Sequence, residues 1–311
     1  MACPTQAIPG EKQPMDSLVV GPGALGLLFA ARLRALGNVT LVGRKSGLQQ
    51  SQVQWQDGTL STLVLPQQGP GEALPEPLDL VLVTTKAGDT LQALSLLLPA
   101  LPQSVPVLLM QNGMGSQQTV ARAFPGHCLL AATTTEGANR PAPDRVLHAG
   151  HGETCLGPLT PSAASLAPWV AQKLRQAGFY SRTSHPIEQD LWGKLAVNAG
   201  INAFTALLDC PNGVLPEQPD FQQRITPLCR EIAAVAQAEG VSLQAEALHQ
   251  QILTVCARTA GNISSMLQDH RAGRSTEIDY INGYIAQCAR AHGLAAPVNQ
   301  ALFEGVKQLH S

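Results

Sequence analysis

Lys194, Asn198 and Asn202 recur every fourth residue through Trp192-Gly193-Lys194-Leu195-Ala196-Val197-Asn198-Ala199-Gly200-Ile201-Asn202. On a helix each such step drifts by only about 40° in azimuth, so an ammonium and two carboxamides share one stripe of an otherwise apolar segment. Polar groups on an apolar helix need partners. Two kinds are available: a polar ligand in a cleft between domains, or a network of buried side chains that satisfies itself. If a ligand fills the stripe, the lysine can stabilise and protonate an oxygen that becomes negative, while the amides hold polar groups without adding charge.

A second constellation lies near the start. Gly21-Pro22-Gly23-Ala24-Leu25-Gly26 follows the apolar Leu18-Val19-Val20 and precedes an apolar stretch, so it fits GxGxxG between a strand and a helix. In that setting Gly21 permits a tight turn, Gly23 lets backbone approach a pyrophosphate, and Gly26 packs helix on strand, with the helix N-terminus facing the phosphates. A glycine turn of this type also occurs as pure structure. The following strand ends in Val42-Gly43-Arg44-Lys45, where an NAD site would carry a carboxylate for the ribose hydroxyls. Two cations instead suit the 2′-phosphate of NADP, which Arg44 can grip bidentately. Lys86 stands just past another apolar strand, where a second phosphate contact or an ordinary surface lysine would both fit. Asn112, in Gln111-Asn112-Gly113-Met114-Gly115, ends a strand at the same rim and either bridges ligands or simply makes an Asn-Gly turn. Asn262-Ile263-Ser264-Ser265 and Ser275-Thr276-Glu277 read first as helix starts, with Ser264 or Ser265 as a cap and acidic residues in a first turn.

The elements that must carry these residues follow from periodicity. Strands are expected at 39–42, 78–84, 105–110 and 129–134, alternating with helices as in a doubly wound parallel sheet. Residues 145–157 suggest a hairpin closing this unit. Long helical patterns then run over 186–208, 221–239, 245–259 and 277–291. The expected architecture is a Rossmann-like α/β dinucleotide-binding domain over 16–184 and an all-α domain over 185–311, preceded by an unstructured tail at 1–15.

Composition narrows the class. With 311 residues, 44% hydrophobic and 14% charged, the chain can bury a large core, and a net charge of −2 without a basic cluster argues against nucleic acid or anionic membranes as partners. The apolar run at 91–101 is too short to span a bilayer, and no basic-then-apolar leader opens the chain, so a cytoplasmic protein is expected. Seven scattered cysteines without a CxxC fit reduced thiols. His148 and His151 lie beside Gly152 and His185 precedes Pro186, but none has a nearby carboxylate arranged to serve a nucleophile's base, and GxSxG, HExxH and P-loop patterns are missing. No metal site is expected.

Taken together, GPGALG, the lysine after VLVTT, QNGMG, GHGETCLG, WGKLAVNAGINAFTALLDCPNG, SSMLQD and TEIDYINGYIAQCARAHG resemble the ketopantoate reductase (2-dehydropantoate 2-reductase) family over nearly the whole chain, from about Asp16 to Lys307. The resemblance implies NADPH-dependent reduction of ketopantoate to pantoate, which supplies pantothenate and coenzyme A synthesis. It implies Lys194 as general acid and Glu277 as ligand of the substrate hydroxyl, both catalytic. Asn198, Asn202, Ser265, Asn262 and Asn212 would hold the substrate, with Asn112 at the junction of substrate and cofactor. The cofactor would meet Gly21 through Gly26 (Gly21, Pro22, Gly23, Ala24, Leu25, Gly26), Arg44, Lys86, Asn112 and Glu277. Pro22 in the glycine motif and the N-terminal tail depart modestly from the pattern. The expected partner is a small 2-oxo acid, and the expected assembly a monomer or homodimer. Two alternatives stand: a reductase for a different 2-oxo acid, and a protein that senses NADPH without catalysis, against which the Lys194/Glu277 pair argues because a sensor needs no proton donor.

Overall fold

The computed structural model describes residues 14–309. In chain order its main elements are β1 (Ser17–Val20), α1 (Ala24–Leu33), β2 (Val39–Val42), β3 (Gly47–Gln54), β4 (Leu60–Gln68), β5 (Leu80–Val83), α2 (Ala87–Leu97), β6 (Val107–Leu109), α3 (Ser116–Ala123), β7 (Leu129–Thr134), β8 (Gly137–Ala142), β9 (Arg145–Gly150), β10 (Glu153–Pro158), α4 (Ala167–Gln176) and β11 (Tyr180–Thr183). The helical half follows: α5 (Glu188–Leu208), α6 (Pro219–Ala238), α7 (Ala245–Arg258), α8 (Ser265–Arg271), α9 (Asn282–Ala291) and α10 (Pro297–Gln308).

The centre of the sheet is the parallel run β7-β6-β5-β1-β2. Its strands are short and almost wholly buried, with Leu18, Val19, Val81, Leu82, Leu108 and Leu109 each at 0% exposure. That is why they read as continuous apolar runs rather than alternating ones: helices cover both faces. α1 packs on one face with Leu27, Leu28 and Phe29, and α2 on the other with Leu94 and Leu97. Alternate residues of one strand therefore enter different cores, as Val19 and Leu18 do.

The expected hairpin over 145–157 is corrected. β9 pairs with β8 and β3, whereas β10 pairs with β7 and β11 near the opposite edge of the sheet. The real hairpin is longer: β7 continuing into β8 runs antiparallel to β9 continuing into β10, from Leu130 opposite Pro158 to Ala142 opposite Arg145. The ribbon bends where Gly152 passes the 135–136 peptide, against which a Cβ at 152 would clash. The alternation in 145–157 thus marks one arm of a ribbon, and the glycines mark its bend. Beyond the bend the β8–β9 end folds over α1.

α5 is the hub of the second half. It packs against α6, α7, α8 and α10, and Trp192, Leu195, Ala196, Ala199, Ala203 and Phe204 along it are buried. A helix apolar on most sides must be surrounded, which explains why its polar stripe stood out in the sequence. The expected helix over 277–291 is broken. A short 3-10 turn spans Ile278–Tyr280, Ile281 takes φ −113° and ψ −98°, and α9 starts only at Asn282. Strands β3, β4, β8 and β11 and helices α4 and α10 lie outside the expected set, whereas α8 begins at the helix start read from Ser264 and Ser265. The tail expected at 1–15 falls outside the described residues up to position 13, but Met15 is packed, 2% exposed, with its N–H donating to the Leu36 carbonyl. Among the described residues no helix is long and apolar enough to cross a membrane.

Candidate active site

The glycine turn has the form its residue types require. Gly21 takes φ +93°, and a Cβ there would lie 2.7 Å from the Thr85 nitrogen, so neither the conformation nor the space admits a side chain. A Cβ on Gly26 would collide with the Gly21 carbonyl, because α1 leaves the sheet at close quarters. A Cβ on Gly23 would meet nothing within 4 Å, so the space beside the head of α1 is open to an approaching phosphate. A cleft of about 820 Å³ runs from this turn past Arg44, Lys45 and Lys86. Arg44 extends into it with its side chain 95% exposed, 4.0 Å from Asp89. An open glycine cradle, a cationic strand end and no carboxylate on that strand end fit a phosphorylated dinucleotide.

Arg140 completes this turn, although nothing local in the chain marks it. It reaches from β8, 118 residues away, to donate 2.7 Å to the Pro22 carbonyl, and it lines the same cleft. Only the folded-over ribbon brings the two together.

Lys194 lies where α5 meets the C-terminal ends of the strands. Its Nζ donates 2.8 Å to Asn112 Oδ1 and 2.8 Å to the Thr134 carbonyl, at the ends of β6 and β7. The residue as a whole is half-buried, but the ammonium is deep, and burial pulls its pKa from 10.5 to about 8, opposed by the negative charge of Glu277. Desolvation is the larger of the two effects. Glu277 reaches the same spot from the opposite side. Its Oε1 accepts from the Ala87 N–H at 3.0 Å, at the start of α2, and its Oε2 lies 3.5 Å from Asn112 Nδ2. Burial raises its pKa, against the Ala87 hydrogen bond and the charge of Lys86. Asn112 is therefore the link between ammonium and carboxylate. The loop that carries it is seated on the helical half: Met114 N–H donates 2.9 Å to the Tyr280 carbonyl, and a Cβ on Gly113 would clash with that carbonyl.

Lys86 has partners of its own. Although it lines the cleft, its ammonium is engaged by the Asp269 carboxylate at 2.8 Å and the Ser275 carbonyl at 2.7 Å, so it ties the two halves of the molecule together. Asn198 and Asn202 sit one and two turns beyond Lys194 on α5, half-buried and buried respectively. Ser264, not Ser265, caps α8, accepting 3.1 Å from the Leu267 N–H, and is itself joined to Thr205 Oγ1 at 2.6 Å. That leaves Ser265 exposed, beside the exposed Asn262. Asn212 is committed elsewhere: Nδ2 donates 2.9 Å to Thr259 Oγ1, and its backbone N–H to the Asn262 carbonyl. The structure thus gathers Lys194, Asn112, Glu277 and Lys86 directly, and holds Asn212 in a tie between the end of α7 and the turn at Asn212–Glu217.

Both halves of the chain are similar to known proteins. Residues 17–161 match the family described as Ketopantoate reductase PanE/ApbA, and residues 186–310 its C-terminal region. A 2-dehydropantoate 2-reductase of Vibrio cholerae is 37% identical over 303 residues, covering 95% of this chain and 98% of that protein. One from Shigella flexneri is 42% identical over 236 residues, 75% of each chain. Among solved structures, a PanE/ApbA family ketopantoate reductase from Ralstonia eutropha superposes with a TM-score of 0.85 at 28% identity, covering 95% of this chain and 98% of that one. A ternary structure of D-mandelate dehydrogenase with NADH and anilino(oxo)acetate gives 0.86 at 25% identity with the same coverage. Profile, identity and architecture converge over both halves of the molecule, and the chain belongs to the ketopantoate reductase family.

Proposed function

We propose that this protein reduces the keto group of ketopantoate to give pantoate, with NADPH as reductant and Lys194 as general acid. The observation that carries the reading is the buried Lys194 ammonium, held by Asn112 and the Thr134 carbonyl beside a carboxylate and at the strand ends below the glycine turn. An ammonium with a pKa of about 8 is mostly protonated at neutral pH and still gives up its proton readily, the compromise a general acid needs.

Bound NADPH would supply the hydride. Gly21 through Gly26 and Arg140 shape the turn that receives its pyrophosphate, and Arg44 meets its 2′-phosphate. Lys194 stabilises the negative charge growing on the substrate oxygen and delivers the proton. Asn112 keeps the ammonium in place. Asn198 and Asn202, on the same stripe, address the substrate's carboxylate and hydroxyl without adding charge, with Ser265 and Asn262 at the head of α8. Glu277 accepts from the substrate hydroxyl and holds the start of α2. Residues 16–184 form the cofactor-binding domain and 185–311 the substrate domain. The free thiols of Cys128, Cys155, Cys210, Cys229, Cys256 and Cys288 suit the reducing cytoplasm.

The D-mandelate dehydrogenase likeness favours one rival, a reductase of another 2-oxo acid. Consumption of NADPH by purified protein separates the readings. Ketopantoate should give the highest kcat/KM in a panel of 2-oxo acids, with NADPH preferred to NADH. A higher value for an aromatic 2-oxo acid would replace the substrate and keep the chemistry. Tight NADPH binding without turnover of any member would remove the catalytic reading.

A further inference from the structure

At the bend of the β7–β10 ribbon, three ligating side chains converge. Glu136, between β7 and β8, places Oε2 2.8 Å from His148 Nε2 on β9, and both side chains are 2% exposed. His151, just past β9, presents its ring edge-to-face with His148, centroids 4.6 Å apart. One ligating atom from each of the three lies within 4.8 Å of the others. None belongs to the glycine turn or the Lys194 cluster.

We propose that Glu136, His148 and His151 form a site for a divalent transition-metal ion of the zinc class. Two imidazoles and one carboxylate are the ligand set that borderline ions such as Zn²⁺ take, with the remaining position left to water. The geometry supplies the other requirements. The carboxylate is buried beside an imidazole, His148 Nδ1 is buried without a partner, and His151 opens the cluster to a pocket of about 300 Å³ that a hydrated ion can enter. With its carboxamide turned to satisfy both of its atoms, Gln56 accepts from the Gly150 and His151 backbone N–H groups at 3.0 Å and donates to His151 Nε2 at 3.1 Å, so the ring offers a lone pair that an ion would take over. Arg32 in the same pocket opposes a cation, but its guanidinium is drawn onto the Trp55 ring, 4.1 Å from its centroid, and Asp57 adds a carboxylate there. An ion here would clamp both arms of the ribbon at its bend. Beyond that bend the ribbon carries Arg140 to the Pro22 carbonyl, so the clamp would hold the part of the fold that steadies the glycine turn.

The test uses full-length, tag-free protein freed of metal by chelation, with Zn²⁺ in equilibrium dialysis and Co²⁺ followed by visible absorption. Expected are one ion per chain, Co²⁺ bands of nitrogen and oxygen ligation, and affinity lowered tenfold or more in both His151→Ala and Glu136→Gln. His151→Ala removes an exposed ring and leaves the buried pair in place, so loss of binding with an unchanged circular dichroism spectrum cannot be blamed on unfolding. Absence of uptake, binding equally tight in His151→Ala, or a near-ultraviolet thiolate band placing the ion on cysteines would each overturn the proposal.

Discussion

Replacing Lys194 with methionine separates what this residue does for catalysis from what it costs the fold. Methionine keeps the length and apolar stem and removes only the ammonium. Losing a positioned general acid lowers turnover by about 10²–10⁴. Stability should move far less. The fall of the Lys194 pKa from 10.5 to about 8 corresponds to a penalty of about 3 kcal/mol on the charged form at neutral pH, which the variant escapes. Against that, Asn112 Oδ1 and the Thr134 carbonyl lose their donor, at roughly 1–3 kcal/mol for buried acceptors. The two nearly cancel, so urea unfolding at pH 7 should place the variant within about 2 kcal/mol of the parent. The pH dependence carries a sign of its own. Because the folded pKa lies below the unfolded one, the unfolded chain binds more protons between about 8 and 10.5, and the parent gains stability as pH rises through that window. Its turnover falls over the same range as the acid deprotonates. Lys194→Met should show neither change. Turnover within tenfold of the parent would refute the assignment, whatever the unfolding curves showed.

Arg44→Ala should raise KM for NADPH by about 10–100-fold while leaving NADH nearly unaffected, since one charge-assisted bond to a phosphate is lost; initial rates with the two cofactors check it. Gly26→Ala should abolish tight cofactor binding, measured by nucleotide fluorescence titration, because its Cβ must displace the Gly21 carbonyl that shapes the turn. Ser264→Ala should cost about 1–2 kcal/mol in urea unfolding through loss of the α8 cap and of the Thr205 partner, with KM for the oxo acid also rising if Ser265 shifts. Glu277→Gln removes the charge that supports the Lys194 ammonium, so the alkaline limb of kcat/KM should move below about 8; a limb that stays or moves upward contradicts the electrostatic role.

The middle of the sheet was legible because its inner strands are buried on both faces and therefore apolar throughout, as residues 80–83 and 107–109 are. The outer strands escaped for the converse reason. β3 reads Gly-Leu-Gln-Gln-Ser-Gln-Val-Gln, and only Ser51 and Val53 in it are buried, too few to signal a strand. The break at Ile281 was hidden because Tyr280 uses its backbone carbonyl to receive the Met114 N–H, a demand set 166 positions earlier in the chain. Of the site, types and spacing exposed the Lys194 stripe, the glycine turn and Arg44, all local in sequence. Arg140 on Pro22 and Glu136 on His148 are made by the bend of a ribbon, and no window along the chain contains both partners at a recognisable period.

Glu277 shows why the lysine's chemistry belongs to the joined molecule and not to either half. It caps α2 through the Ala87 N–H, faces Asn112, and sets the charge that Lys194 feels. The neighbouring Lys86 is fastened to Asp269 and Ser275. Each of these contacts crosses from the strand ends to the helical half. If the halves parted, water would reach the Lys194 ammonium, the desolvation that lowers its pKa would vanish, and the group would return toward 10.5 as a much weaker acid. Asn112 would lose the carboxylate on one side and the ammonium on the other. The contacts that align the proton donor thus also close the junction whose burial lowers its pKa, while the Glu277 charge limits that fall and keeps the group protonated, so acid strength rises only when the two halves are in register.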